Sequence, residues 1–302
     1  MPRITSNDIE LEYELLGDRA DSQAPVIILI MGLGMQLIAW PDEFCAALVA
    51  HGFRVIRFDN RDVGLSSRIT SGKRPNLVWA MLAAKLRLPV RSPYTLADMA
   101  DDIIGLLDGL GIVRAHVVGA SMGGMIAQVM AAKYPQRVAS LTSIMSTSGN
   151  PKLPRPRGDA VKTLLSKPSD PKNPVIVIDH LIKVFGVIGS PGFVADPVAL
   201  RDQLSRAVKR AYYPAGVARQ LLAVIASGDR RPLLHTIKAP TLVIHGAADP
   251  LIPLAAGQDT VDNIPGARLM AIDGMGHDLP QALLEPLANA IAAHCRQNER
   301  KH

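Results

Sequence analysis

The sequence predicts an α/β fold, a mostly parallel central sheet flanked by helices, and three observations carry that expectation. Short apolar runs that read as strands alternate with helical patterns from Val26 to Ser146, and such alternation builds parallel sheets covered on both faces. The alternation breaks over residues 150–238, where proline and basic residues crowd the start and helical patches follow without a clear strand. It returns at Ala239 with two further strand patterns and a closing helix. The chain therefore divides into a core of residues 1–149 and 239–302 and an inserted, mainly helical segment of residues 150–238.

Each element has a local reason. Residues 9–17, IELEYELLG, alternate apolar and polar, as an edge strand with one wet face does. Residues 26–32, VIILIMG, form a short apolar run ending in glycine and read as a strand buried on both faces. In WPDEFCAALVAHG (40–52), proline and acids mark a helix start and glycine its end. A strand at 54–60, RVIRFDN, leads into the loop RDVGLSS. Thr95 caps a helix over 95–111 whose Ile103, Leu106, Leu107 and Leu110 share one face. AHVVGAS (115–121) reads as strand, MGGMIAQVMAAKYP (122–135) as helix and VASLTSIMS (138–146) as strand. After the insertion come strand and loop in APTLVIHGAADPLIP (239–253), the strand ARLMAID (267–273), the loop GMGHDLP and a helix from Pro286 to Cys295.

Of 302 residues, 48% are hydrophobic and 20% charged, a composition that excludes disorder, collagen-like repeats and coiled coil. The longest apolar stretch, Val26 to Met35, is half of the roughly 20 residues a membrane helix needs, so no transmembrane segment is expected. The N-terminal stretch carries acidic residues where a secretory signal needs an apolar run, and the expectation is a cytoplasmic protein. Cys45 and Cys295 lack the spacing of a disulfide framework or metal site and read as buried thiols. The net charge of +6 is regional: residues 151–238 hold 15 Lys and Arg against 6 Asp, a balance of +9 that leaves −3 for the rest. With 4% aromatic residues and no nucleic-acid signature, this excess reads as a solvated face weakly favouring anions, not as a nucleic-acid site.

Gly119-Ala120-Ser121-Met122-Gly123 is a G-x-S-x-G sequence standing where an apolar strand stops and a helix starts. That is the context of a nucleophile elbow, in which serine occupies a strained turn and the glycines let strand and helix approach. The plainer reading is a serine helix cap with glycines for close packing. A serine hydroxyl is a weak nucleophile near neutrality and needs a base, itself oriented by an acid. Of eight histidines, His277 alone stands in a glycine-flanked loop after a late strand, while His245 ends a strand and reads as structural. Asp249, in the loop after TLVIHG, gives the chain order Ser121, Asp249, His277. Asp278 would have to fold back on its neighbour, and Asp273 at a strand end is a further candidate.

At these residues the chain resembles the α/β-hydrolase-fold serine hydrolases over nearly its whole length. The resemblance rests on Met31-Gly32-Leu33-Gly34, the run Asp59 to Ser66, the elbow at Ser121, His245 to Pro250 and Gly274 to His277. The stretches MGLGMQLIAWPDEF, FDNRDVGLS, AHVVGASMGGMIAQ and GMGHDLP are similar to those of bacterial methylesterases of the aclacinomycin type and related carboxylesterases. The resemblance implies a catalytic Ser121, Asp249 and His277, no cofactor and no metal. It also implies an oxyanion hole formed by the N–H groups of Leu33 and Met122, although Met31 stands where the family carries a histidine. Residues 150–238 match the position of the family's lid, whose apolar patches at 175–189 and 212–227 would roof an acyl or alcohol pocket.

Gly32, Trp79 and Met81 are the expected substrate-binding residues, the last two on a helix over 76–88. A membrane-surface anchor is the other reading of that helix. The reaction expected is hydrolysis of a small to medium carboxylic ester through an acyl-enzyme. Carbon-carbon bond hydrolysis, aminopeptidase action, perhydrolysis and a non-catalytic binding role are the alternatives. The basic balance of the insertion weighs against an aminopeptidase, which needs acidic groups for the substrate ammonium.

Overall fold

Burial on both faces of the middle strands sets the architecture. The computed structural model describes residues 1–18, 24–70, 76–86 and 88–299. β1 (Arg3–Ser6) and β2 (Ile9–Leu16) form a hairpin whose turn residues, Asn7 and Asp8, have φ of 50° and 61°, the left-handed pair that a tight two-residue turn requires. Then follow β3 (Val26–Ile30), α1 (Asp42–Ala50), β4 (Arg54–Phe58), α2 (Leu77–Lys85), α3 (Leu96–Gly109), β5 (Ala115–Ala120), α4 (Met122–Lys133) and β6 (Val138–Ile144). The segment between β6 and β7 carries α5 (Gly158–Leu164), α6 (Pro174–Ile188), α7 (Pro197–Arg210), α8 (Pro214–Ser227) and α9 (Arg231–Leu234), and no strand. β7 (Thr241–Gly246), α10 (Leu254–Asn263), β8 (Arg268–Ile272) and α11 (Leu284–Glu299) complete the chain.

The strands form one sheet in the order β1-β2-β4-β3-β5-β6-β7-β8, antiparallel at β1/β2 and β2/β4 and parallel at every other pairing. Alternation along β3 sends Ile28 and Ile30 into a core with α3 and α4, including Ile103, Leu106 and Met130. Ile27 and Leu29 enter the opposite core with α1 and α11, including Phe44, Leu48, Leu287 and Ile291. Full burial of each such side chain contributes roughly 1.5–3 kcal/mol, so the two layers hold the middle of the sheet rigid. α3 starts as expected, with the Thr95 hydroxyl accepting from Asp98 N at 3.2 Å and the Asp98 carboxylate accepting from Thr95 N at 2.7 Å.

One expectation is corrected and one unassigned stretch is filled. β2 is not at the edge, because the four-residue β1 pairs along it and takes that place. The stretch after Pro253, to which the sequence reading assigned no element, contains α10, which the hydrophobic pattern concealed because its buried residues are the small Ala256, Gly257 and Thr260. Among the described residues no helix is long and apolar enough to cross a membrane.

Buried ion pairs fasten the helical segment to the sheet. On α7, Arg210 Nη1 donates to Asp59 Oδ2 at 2.7 Å, and the same carboxylate accepts from the N–H groups of Leu37 (2.7 Å) and Leu65 (2.8 Å). On α8, Arg219 makes a two-pronged pair with the fully buried Asp62, both bonds 2.8 Å long. Both carboxylates belong to the loop after β4, so one loop of the core holds two helices of the insertion.

Candidate active site

Ser121 is carried at the carboxyl end of β5 and immediately precedes α4. Its backbone is left-handed, with φ 55° and ψ −119°, a conformation that costs a non-glycine residue of the order of 1–3 kcal/mol and must be held by its surroundings. The holding bonds are present: Ser121 N donates to Ile144 O at 2.9 Å, and Ser146 Oγ donates to Ser121 O at 2.8 Å. The flanking glycines are obligatory. A Cβ at Gly119 would stand 2.2 Å from Gly123 O, and one at Gly123 would stand 2.0 Å from Ile30 O. The turn thus presses α4 onto β3 and β5 and leaves the serine side chain partly open to solvent.

The loops after β7 and β8 reach the same sheet edge. His277 Nε2 lies 3.0 Å from Ser121 Oγ, and His277 Nδ1 lies 2.7 Å from Asp249 Oδ2. Asp249 is 6% exposed, and its other oxygen accepts from Leu251 N and Ile252 N, both at 2.8 Å. A carboxylate oxygen only accepts, so the bond to Asp249 puts the proton on Nδ1 and leaves the lone pair of Nε2 facing the serine hydroxyl. The sequence-predicted Ser121, Asp249 and His277 are therefore within contact of one another, although 128 and 28 positions of chain separate them in turn.

Gly32 abuts Ser121, since a Cβ there would stand 3.1 Å from the serine Cβ. Met122 is the first residue of α4, so its N–H has no carbonyl within the helix to reach. Leu33 follows Gly32 in the turn closed by Met35 N donating to Gly32 O at 3.2 Å, and its N–H donates to no described protein group. Met122 thus follows the serine in the chain, and Leu33 follows the Gly32 that abuts it. Trp79 and Met81 are exposed on α2, and among the described residues neither makes a hydrogen bond or ring contact to Ser121, Asp249 or His277.

The alternative acids have other work. Asp273 is exposed beyond β8. Asp278 turns away from the imidazole to take a short hydrogen bond from Ser190 Oγ, and burial pushes its carboxyl above the usual carboxylate range. His245 is fully buried; its Nε2 donates to Ile252 O at 2.8 Å, and burial holds its imidazole below the ordinary value. It lies behind Asp249, with its Nε2 3.8 Å from Asp249 Oδ2.

Some residues at the site had no signal in the sequence. The end of α6 grips the histidine loop, with His277 N donating to Ile188 O and Gly276 N to Ser190 Oγ, each at 2.8 Å. On the other side, Gly34 N donates to Gln220 Oε1 of α8 at 2.8 Å, and Val217 packs on Gly34. The inserted helices therefore brace the histidine loop and the Gly32–Gly34 turn alike.

Comparison with known proteins agrees with this fold. Residues 25–168 match the model of the alpha/beta hydrolase fold. The chain is 31% identical over 315 aligned positions to rhodomycin D methylesterase DnrP of Streptomyces peucetius, covering 97% of each protein. It is 26% identical to 3-oxoadipate enol-lactonase 2 of Acinetobacter baylyi, covering 89% of this chain and 87% of that one. Among solved structures, the enol-lactonase from Burkholderia xenovorans LB400 aligns with a TM-score of 0.72 at 24% identity, over 98% of this chain and all of the other. A parallel sheet with a strained serine turn at its centre, and a 31% identical relative over almost the whole length, place the chain in the α/β-hydrolase family.

Proposed function

We propose that this hydrolase cleaves carboxylic esters of small to medium size through a serine-bound acyl intermediate. The observation that carries the reading is the relay from Asp249 through His277 to Ser121, with bonds of 2.7 and 3.0 Å. Ser121 Oγ attacks the ester carbonyl carbon as His277 Nε2 takes its proton, and Asp249 stabilises the imidazolium. The N–H groups of Leu33 and Met122 receive the negative charge on the carbonyl oxygen, and an amide donor of this kind is worth roughly 3 kcal/mol in the transition state. His277 then protonates the departing alcohol, and in a second round activates the water that releases the acid.

Residues 150–238 act in this reading as a lid, supported by the bonds from α6 to the histidine loop and from α8 to the turn bearing Leu33. Because the relatives named above include a methylesterase, methyl esters are the first natural-type substrates to try. The test is hydrolysis of short-chain nitrophenyl esters and methyl esters by wild type and Ser121→Ala. Turnover by the wild type and its loss by a factor of roughly 10³ or more in the variant supports the mechanism. Equal rates for both would remove Ser121 from it.

A further inference from the structure

α2 is built inside out. Its buried residues are the small Ala80 and Ala83, on the side where the helix packs against α8. The large apolar side chains point the other way: Val78 is 80% exposed, Trp79 59%, Leu82 45% and Leu86 58%. At 100° per residue these four fall within about a third of the helix circumference, a continuous apolar stripe facing water. Leu88, just beyond, is exposed as well. Folding leaves such a stripe uncovered only at a cost, and a patch of this kind on a folded protein marks a contact surface.

The charge around the stripe selects its partner. From Val63 to Ala97 the chain holds six Lys and Arg and no Asp or Glu. Of these, Arg68, Lys85 and Arg91 are exposed. A two-fold contact with a second copy would bring this basic rim against itself, which opposes self-association. An apolar stripe with a tryptophan and a cationic border instead matches the interface of an anionic bilayer, where side chains enter the headgroup region and Lys or Arg meets lipid phosphate.

We infer that α2 is a lipid-docking helix that seats the enzyme on anionic membrane surfaces. The nine residues of α2 are too short to anchor firmly alone, so binding needs both the stripe and the basic border and is reversible. The docking does not depend on the chemistry at Ser121, and Ser121→Ala binds lipid as the wild type does.

The experiment is co-sedimentation of the full chain with vesicles of phosphatidylcholine alone and of phosphatidylcholine with phosphatidylglycerol, at low and high salt. Emission provides a second readout, because Trp40 is fully buried and Trp79 is the only other tryptophan in the sequence. The expected result is salt-sensitive binding to the anionic vesicles with a shift of Trp79 emission to shorter wavelength. Val78→Glu/Leu82→Glu lowers the partition coefficient roughly thirtyfold or more, while its circular dichroism and its rate on a soluble ester stay those of the wild type. The inference is overturned by no binding, by equal binding to neutral and anionic vesicles, or by a double variant that binds like the wild type. A wild-type dimer dissolved by the same double substitution overturns it too, making the stripe a self-contact.

Discussion

Replacing Arg219 by methionine removes the positive half of a buried ion pair while keeping most of the stem that packs in α8. The guanidinium makes two 2.8 Å bonds to Asp62 and a third, also 2.8 Å, to the Tyr213 hydroxyl. Asp62 is fully buried and would retain the Tyr94 hydroxyl and the Ile69 N–H, each at 2.8 Å, but no cation in direct contact. Breaking one side of a buried pair costs about 3–5 kcal/mol, and the two surviving donors place this case near 3. The assay is urea unfolding at neutral pH followed by circular dichroism, reading the midpoint at unchanged slope. Because the loss arises from a stranded carboxylate, Arg219→Met/Asp62→Asn should recover part of it, and asparagine tolerates the left-handed backbone of residue 62, where φ is 67°. A single variant within 1 kcal/mol of wild type, roughly the worth of an exposed pair, would refute the reasoning. So would a double variant whose loss is the plain sum of the two single losses.

Other outcomes follow from the same contacts. Gly123→Ala should cost about 3 kcal/mol or more, because its Cβ meets Ile30 O at 2.0 Å, whereas Gly186→Ala in α6, where a Cβ meets nothing within 4 Å, should gain about 0.5–1 kcal/mol; thermal unfolding of the pair decides. Ser190→Ala strands Gly276 N–H and Asp278 beside His277, so kcat should fall roughly tenfold with little change in KM, and Ser190→Thr should restore part of it. His294 is buried, its Nε2 donates to Pro240 O at 3.2 Å, and burial lowers its pKa to about 4. A folded pKa below the unfolded value of about 6.5 means that the unfolded chain takes up the proton first as pH falls. Stability from this group is therefore complete above about pH 6.5 and is lost towards pH 4, by up to about 3 kcal/mol, and His294→Gln should flatten that limb of the stability profile.

The elements that bury large apolar side chains at regular spacing were legible in the sequence, and so was the serine turn, because a strand, G-x-S-x-G and a helix follow one another without a gap. β1 was missed since four residues carry too short an alternation, although Asn7-Asp8 is a hairpin signal that marks its end. α2, which carries Trp79 and Met81, is apolar or small around nearly its whole circumference, and such a pattern does not say which face turns inward. The contacts of Ser190 and Gln220 with the two site loops had no local signature at all. They depend on where the inserted helices land on the sheet, which is decided by packing between residues 86 to 186 positions apart.

The central claim is that the hydroxyl of residue 121 is the nucleophile that becomes acylated. Its most direct measurement is reaction of the folded enzyme with a fluorophosphonate ester, followed by peptide mass spectrometry to locate the adduct. The account predicts one phosphonyl group on Ser121, formed much more slowly when His277 is replaced by alanine. An adduct on another residue, or unchanged labelling in Ser121→Ala, would contradict it.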